Sequence, residues 1–473
     1  MEWTAFWRGP LGRCEQQVAA WSQDFAGGGL RPVQFRPALS GRREARNQLG
    51  RESLGALGAQ AEERADPLEG DGIVDRCKGV SPKEWFTPWG QLEVGRRLYQ
   101  ANRGGRGGVP LDQRGGRVDR FLVPSLERRC CLLGAQWVPA AVAQALAEAL
   151  GPGPSRTALQ AVVRQVGQHA AEYAGELETA VPGQQPLAAG GEALVGGWDG
   201  TMIPLREAGP TRGRPARRPA HTDPDAAAGQ PTRWQEAGVG RVAVDDLPCD
   251  PAGEKAARRD VRYCARTPEP KMAQWVDAIT AQTAAVLAQG ACQHGLFLAD
   301  GRPEIGRTVA EQPVCADFTQ VLDCYHACQH LSVAAEALFG PGSAAAQRYF
   351  EAWRQRLRHR PGAAQDLLRS LRRYARRRRR GRTVLRRELA YCRTNRPRMD
   401  YARLAARGLP IGSGPVEAAC KTVVGHRLKR SGMRWSSRGA QQILNLRVPL
   451  CSGRWDPFHN WYLEHTDQLA LAA

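Results

Sequence analysis

The period of the apolar positions changes along the chain, and the changes divide it. Over 125–178 the spacing is helical: Trp137, Val138, Ala141, Val142, Leu146 and Leu150 fall on one face. Gly151-Pro152-Gly153-Pro154 breaks that helix, and Ser155 is placed to cap a second one carrying Leu159, Val162, Val163 and Val166. Two helices joined by a tight turn suit either a helix-turn-helix or an ordinary helical hairpin. Upstream, 86–124 shows only weak strand and turn signals. Gln91 to Val94 alternates, and Gly104 to Gly108 is turn-rich. Residues 1–70 carry no sustained period.

From residue 193 the period shortens. Ala193 to Asp199 predicts a strand, Val239, Val242 and Val244 a second, and Val261, Tyr263 and Ala265 a third with cleaner alternation. Between the first two lies a Pro/Gly/Arg-rich insertion over 206–232, expected as a loop. Met272, Trp275, Val276, Ile279, Val286 and Leu287 mark an amphipathic helix. Two short apolar runs follow, Gly295 to Ala299 and Thr319 to Leu322, each ending at an acid. Three strands, a helical crossover and further strands is the order of the ribonuclease H-like fold.

Residues 324–407 read as mostly helical and basic, with Leu367, Leu368, Leu371 and Tyr374 on one face. From Arg369 to Arg387, 11 of 19 residues are arginine. Like charges at that density repel, and a phosphate backbone would neutralise them. In Leu409 to Glu417, Gly412 and Gly414 predict a tight turn, Pro415 suits the first helical position, and Glu417 falls in the first turn.

Charge sharpens this picture. The 473 residues hold 67 Lys plus Arg against 47 Asp plus Glu, a net +20 that attracts polyanions. No apolar stretch is long enough to span a membrane, and the N-terminus has no signal-peptide pattern. The 13 cysteines form no Cys-x-x-Cys pair, which predicts free thiols in a reducing, cytoplasmic compartment.

Three acids stand out by position. Asp199 ends the first strand, Asp300 the fourth, and Glu417 follows the basic helical segment. In a ribonuclease H-like arrangement these places converge, and converging carboxylates can hold two divalent ions for phosphodiester chemistry. Oxygen donors suit Mg²⁺ or Mn²⁺. Asp323 ends another apolar strand and competes with Asp300 as the second acid. Cys324, His326, Cys328 and His330 suggest zinc at first sight, but on a helix the cysteine and histidine pairs point to different faces.

At these residues the chain resembles the ISKra-type bacterial insertion-sequence transposases, distant relatives of the Mutator-like transposases with a catalytic Asp-Asp-Glu triad. The resemblance rests on Trp-Asp-Gly-Thr at 198–201, Leu-Ala-Asp-Gly at 298–301 and Val-Leu-Asp-Cys-Tyr-His at 321–326. It rests most on the stretch from Gly408 to Lys421, with Arg-Leu-Lys-Arg-Ser-Gly-Met-Arg-Trp at 427–435 and Ile-Leu-Asn-Leu-Arg at 443–447. It implies a mixed α/β ribonuclease H-like core over 190–340 and 408–450, with an all-helical Arg-rich insertion over 341–407. It also implies a mainly helical DNA-binding region over 85–185, an unassigned segment over 1–84 and a tail over 451–473.

The implied triad is Asp199, Asp300 and Glu417, holding two Mg²⁺ or Mn²⁺ ions, with His326 accessory and Asp323 as the alternate acid. The implied partner is double-stranded DNA, both element ends and target, bound by a homo-oligomer. Arg376, Arg377, Arg378, Arg379, Arg380, Lys421, Arg427, Lys429, Arg430 and Arg434 are expected at phosphates. Trp435 is expected either to stack on a displaced base or to pack in the core. The family's early Cys-x-x-Cys pairs are reduced here to Cys77, and Tyr99 to Arg103 has no cysteine, so a structural zinc is not expected. A DNA-binding relic and a structure-specific nuclease on the same fold are the alternatives.

Overall fold

The computed structural model describes residues 32–63, 76–100, 108–110, 112, 121–150, 154–185, 191–206, 232–247, 257–269, 273–289, 292, 294–377 and 381–472. The chain forms two compact units, one of residues 1–166 with 459–473 and one of 167–458. The boundary between the units falls inside one helix, and the C-terminal segment groups with the N-terminal unit.

In the first unit, helix α1 (Pro32–Glu63) is followed by a hairpin of β1 (Arg76–Thr87) and β2 (Gly90–Gln100). The hairpin closes on Thr87, whose hydroxyl accepts from Trp89 N at 3.0 Å and donates to Gly90 O at 2.7 Å. No apolar period announced α1, and its packing explains why. The helix meets β2 through glycines, with Gly50 under Trp89, Gly55 under Leu92 and Gly58 under Val94. A Cβ on Gly50 would lie 2.3 Å from the Trp89 ring. A glycine groove receives side chains without contributing an apolar stripe.

Next come α2 (Pro124–Gln136), α3 (Pro139–Leu150) and α4 (Arg156–Glu172). Ser155 caps α4 as the sequence suggests, its Oγ accepting from Ala158 N at 3.2 Å. Trp137 does not start the α3 apolar face. It ends α2 and is 42% exposed. Pro139 is the physical reason, since it disfavours helical backbone at Val138 and restarts the helix after it. The turn residues 151–153 lie outside the described residues, as do 101–107 and the expected loop over 207–231.

The second unit contains α5 (Ala174–Gln184) and a five-stranded mixed sheet. The sheet is built from β3 (Ala193–Arg206), β4 (Thr232–Asp246), β5 (Ala257–Arg266), β6 (His294–Ala299) and β7 (Thr319–Leu322), in the order β5-β4-β3-β6-β7. β3, β4 and β5 are antiparallel neighbours, while β6 and β7 run parallel to β3. This α/β architecture is compatible with the core expected from the strand order.

One face of the sheet, with Leu194, Trp198, Phe297 and Ala299, packs on α6 (Ala273–Leu287) and α7 (Pro303–Ala310). The other face, with Val195, Leu298 and Val321, packs on the helical layer α8 (Cys324–Phe339), α9 (Ala344–His359), α10 (Ala363–Arg377), α11 (Arg382–Asn395) and α12 (Tyr401–Ala406). The helical layer begins at Cys324, directly after β7, where the sequence reads as helical over 324–407. After it come α13 (Gly414–Ala419), a π-helical turn over Cys420–Gly425, α14 (His426–Leu428), α15 (Ser437–Cys451) and α16 (Trp455–Ala472).

Candidate active site

Parallel register sets the geometry. Trp198 pairs with Ala299 and Ala299 with Leu322, so the next residues, Asp199, Asp300 and Asp323, form one row across β3, β6 and β7. Neighbouring strands lie about 4.8 Å apart, and level residues share a face. Val195, Leu298 and Val321 are two or four residues before these acids, so the row points to the face that the helical layer covers.

Glu417 comes to the same place from α13. That helix can approach because β3 carries Gly197, where a Cβ would lie 2.5 Å from Val416 Cγ2. Gly301 has the same use at the tip of β6, where a Cβ would lie 2.4 Å from the Tyr391 ring. Gly301 ends the recognised Leu-Ala-Asp-Gly motif, whereas Gly197 was not singled out in the sequence although it adjoins Trp-Asp-Gly-Thr. The π-helical turn after α13 frees carbonyl oxygens. Arg447 Nε donates to Val423 O at 2.5 Å, and its Nη2 donates to Thr422 O. The turn also brings Cys420 Sγ to 3.8 Å from Asp199 Oδ2.

Asp323 is fully buried and accepts four hydrogen bonds. Oδ1 takes Tyr325 N at 3.0 Å and Ser413 N at 3.2 Å; Oδ2 takes Ser413 Oγ at 2.7 Å and His326 Nδ1 at 2.8 Å. Burial pushes its pKa up, but the bonds from His326, Ser413 and Tyr325 outweigh burial and hold it below the usual range. Asp323 thus caps α8, ties the 410–413 turn to β7 and orients the His326 ring. His326 is held above its ordinary pKa, chiefly by that bond to Asp323 and further by Asp300 and Asp199.

Asp300 is bonded more lightly. Its described hydrogen bonds come from Arg302, Nε to Oδ2 at 2.8 Å and backbone N to Oδ1 at 3.2 Å. Arg302 Nη1 also donates to Glu236 at 2.7 Å, and the guanidinium lies 4.8 Å from the centre of the Trp198 ring. Its pKa is raised, first by Glu236 and then by Asp300. Asp199 is pushed up by burial, opposed by the Gly200 N–H at 2.7 Å, and raised further by the charges of Asp300 and Glu417. Asp199, Asp300, Glu417 and His326 therefore share one electrostatic field. Among the described residues, ligating atoms of Asp323, His326 and Glu417 lie within 4.8 Å of one another.

The structure brings the sequence-predicted acids and His326 together and adds Arg302, Glu236, Ser413, Tyr391 and Cys420. Ser413 and Cys420 lie inside the recognised stretch from Gly408 to Lys421 without being assigned a role there, while Arg302, Glu236 and Tyr391 had no motif-level signal and matter only through contacts made by the fold. Tyr391 stacks on His330 at 3.5 Å between ring centres, and His330 is held by buried Glu388.

The basic residues divide. Lys421, Lys429, Arg430 and Arg434 are exposed, and Lys429 Nζ lies 3.1 Å from Thr201 Oγ1, two residues beyond Asp199. Arg427 departs from expectation. It is 3% exposed and lies 4.9 Å from the Trp435 ring centre, so it is a packed side chain rather than an open phosphate contact. Trp435 is pinned as well. Its indole N–H donates to Leu428 O at 3.1 Å, and its backbone pairs with Pro204 and Arg206 at the end of β3. Of the arginine run, Arg376 and Arg377 end α10 with exposed side chains. Arg378, Arg379 and Arg380 lie outside the described residues.

Among the described residues, no helix is long and apolar enough to cross a membrane. No family model matches the sequence. No curated protein sequence matches it either. Among solved structures, the chain is distantly similar to the Drosophila P element transposase strand transfer complex, with a TM-score of 0.32, 8% identity, and coverage of 73% of this chain and 96% of that one.

Proposed function

We propose that this protein is a DNA transposase with a ribonuclease H-like core, which cleaves the 3′ ends of its own element and joins them to target DNA. The observation that supports this reading is that Asp199 and Asp300 stand at level strand positions and that Asp300 and Glu417, the latter on a helix first turn 218 residues after Asp199, both act on the charge of Asp199. The motif resemblance at the same residues supports it.

The donor set fits divalent cations. The Asp199 pKa is raised first by burial and further by the charges of Asp300 and Glu417, and oxygen donors of this kind suit Mg²⁺ or Mn²⁺. Asp199, Asp300 and Glu417 would hold the ions. When bound, the ions would supply charge stabilisation to the phosphoryl centre and lower the pKa of a bound water or 3′-hydroxyl.

The chain's own groups do the rest. Asp323 fixes the Nδ1 side of His326 and favours its charged ring, a cation beside the acids. Arg302, anchored by Glu236, screens Asp300 and is itself a second positive charge beside the acids. Lys421, Lys429, Arg430 and Arg434 line the continuation of the site along the segment after α13 and are placed to track a phosphate backbone. As in related systems of this chemistry, two DNA ends must meet, which favours a homo-oligomer on DNA.

The test is mobilisation in cells of a marker placed between the terminal repeats expected of such an element, with the protein supplied in trans. Wild type is expected to mobilise it, and Asp199→Asn, Asp300→Asn and Glu417→Gln are expected not to. Salt-sensitive DNA binding without mobilisation by wild type would instead identify a DNA-binding relic. Cutting of branched DNA without preference for those repeats would identify a nuclease.

A further inference from the structure

Arg447 closes Ile-Leu-Asn-Leu-Arg at 443–447 and sits on α15, away from the acidic row, yet its side chain reaches the segment that continues from Glu417. It is 5% exposed and donates from Nε to Val423 O at 2.5 Å and from Nη2 to Thr422 O. A guanidinium taken out of water needs such bonds, and burial lowers its pKa. Both acceptors belong to the π-helical turn over Cys420–Gly425. In that turn the His426 N–H reaches back five residues to Lys421 O, one residue further than in an α-helix.

The turn changes what shares a face. Twelve residues of regular α-helix rotate through about 1,200°, which would leave Glu417 and Lys429 about 120° apart. One residue inserted by a π turn takes out about 100° of that and brings the two nearly into line. The packing agrees. Val416 and Leu428 have the same spacing, and both are buried, Val416 over Gly197 and Leu428 in the core under β3 and β4. Glu417 acts on the charge of Asp199, and Lys429 Nζ lies 3.1 Å from Thr201 Oγ1, two residues along the same face of β3. A π turn is a rare element that needs local support, and Arg447 supplies it from a neighbouring helix.

We propose that Arg447 is a positioning residue, which locks the π turn and so keeps the acid Glu417 and the cation Lys429 in register along β3. The inference rests on the proposed function, in which Glu417 holds an ion and Lys429 meets a phosphate. Arg447 touches neither ion nor DNA. It acts through the backbone of Thr422 and Val423.

The experiment compares folded, full-length wild type, Arg447→Lys, Arg447→Met, Glu417→Gln and Lys429→Gln. Mn²⁺ affinity is read by electron paramagnetic resonance, the salt dependence of binding to a random-sequence DNA duplex by fluorescence anisotropy, and amide exchange by mass spectrometry. Glu417→Gln is expected to lose Mn²⁺ affinity, and Lys429→Gln to reduce the slope of log affinity against log salt by about 1. Arg447→Lys, which keeps the charge but not the fork, is expected to do both, weakening Mn²⁺ binding at least fivefold. Arg447→Met, which bonds neither carbonyl, is expected to show the larger loss. In both, exchange should quicken over 420–428 and stay unchanged in β3 and β6. Wild-type Mn²⁺ affinity and salt slope in both variants would overturn the inference. So would faster exchange throughout the second unit, which marks a residue of general stability. Wild type that binds neither Mn²⁺ nor DNA would contradict the proposed function itself, and the inference with it.

Discussion

The tips of β6 and β7 carry the same residue type at the same level of the same sheet, yet they are built oppositely. Asp323, at the tip of β7, is fully buried and accepts four hydrogen bonds from three residues. Asp300, at the tip of β6, accepts from Arg302, whose side chain is 41% exposed. A carboxylate with both oxygens engaged is a positioning group. A carboxylate held by one half-exposed cation can exchange that cation for another. Sequence position could not separate the two, since each ends a short apolar strand; their bonding does.

The largest expected effect breaks the symmetry in activity. Asp300→Asn is expected to reduce mobilisation by roughly a hundredfold or more, the scale seen when a preorganised charge-stabilising group is lost. Asp323→Asn is expected to reduce it less, in proportion to the loss of His326 orientation. Equal loss in both, with folded protein, would remove the distinction.

Stability should show the reverse order. Asp323→Asn disrupts charge-assisted bonds to buried groups and is expected to cost about 2–4 kcal/mol in urea unfolding. Asp300→Asn breaks a partly exposed ion pair and relieves repulsion from Asp199, and is expected to fall within about 1 kcal/mol of wild type. Gly197→Ala is expected to cost about 1–3 kcal/mol and to lower activity, because its Cβ would displace Val416 and with it Glu417. Unchanged activity in that variant would show that α13 need not sit this close to β3.

The pair Asp323 and His326 predicts a pH window. Asp323 is lowered in the fold, so its contribution is present above its usual value of 3.8 and is lost as pH falls through the lowered one. His326 is raised in the fold, so its contribution is full below its usual 6.5 and is lost as pH rises through the raised value. In chelator, wild type should therefore lose stability above about pH 6.5 by an amount that His326→Asn does not show. Superimposable pH profiles would contradict the pairing. The smallest effect is expected from Arg302→Gln. Removing the cation that competes for Asp300 should strengthen Mn²⁺ binding a few-fold.

Much of the second unit was legible because its physics is periodic. Alternation gave β3, β4 and β5, apolar runs gave β6 and β7, and Gly412 with Pro415 marked the turn and start of α13. Asp300 and Asp323 were legible because they end those runs; Asp199 was expected to end the first strand but lies within β3, which runs on to Arg206. The rest depended on contacts with no period. α1 packs through glycines, β1 carries Pro82 and little alternation, and Arg427, expected at a phosphate, instead packs on Trp435, for which the sequence left stacking and core packing both open. Arg302 and Ser413 gain their roles only when the fold brings them to Asp300 and Asp323.

The central claim is that Asp199, Asp300 and Glu417 hold the divalent ions while Asp323 holds the histidine. Mn²⁺ titration followed by electron paramagnetic resonance, on folded wild type, Asp300→Asn and Asp323→Asn, tests it most directly. The account predicts Mn²⁺ binding by wild type and Asp323→Asn, and loss of at least one site in Asp300→Asn. Loss in Asp323→Asn with full binding retained in Asp300→Asn would contradict it and move the ligand to the tip of β7.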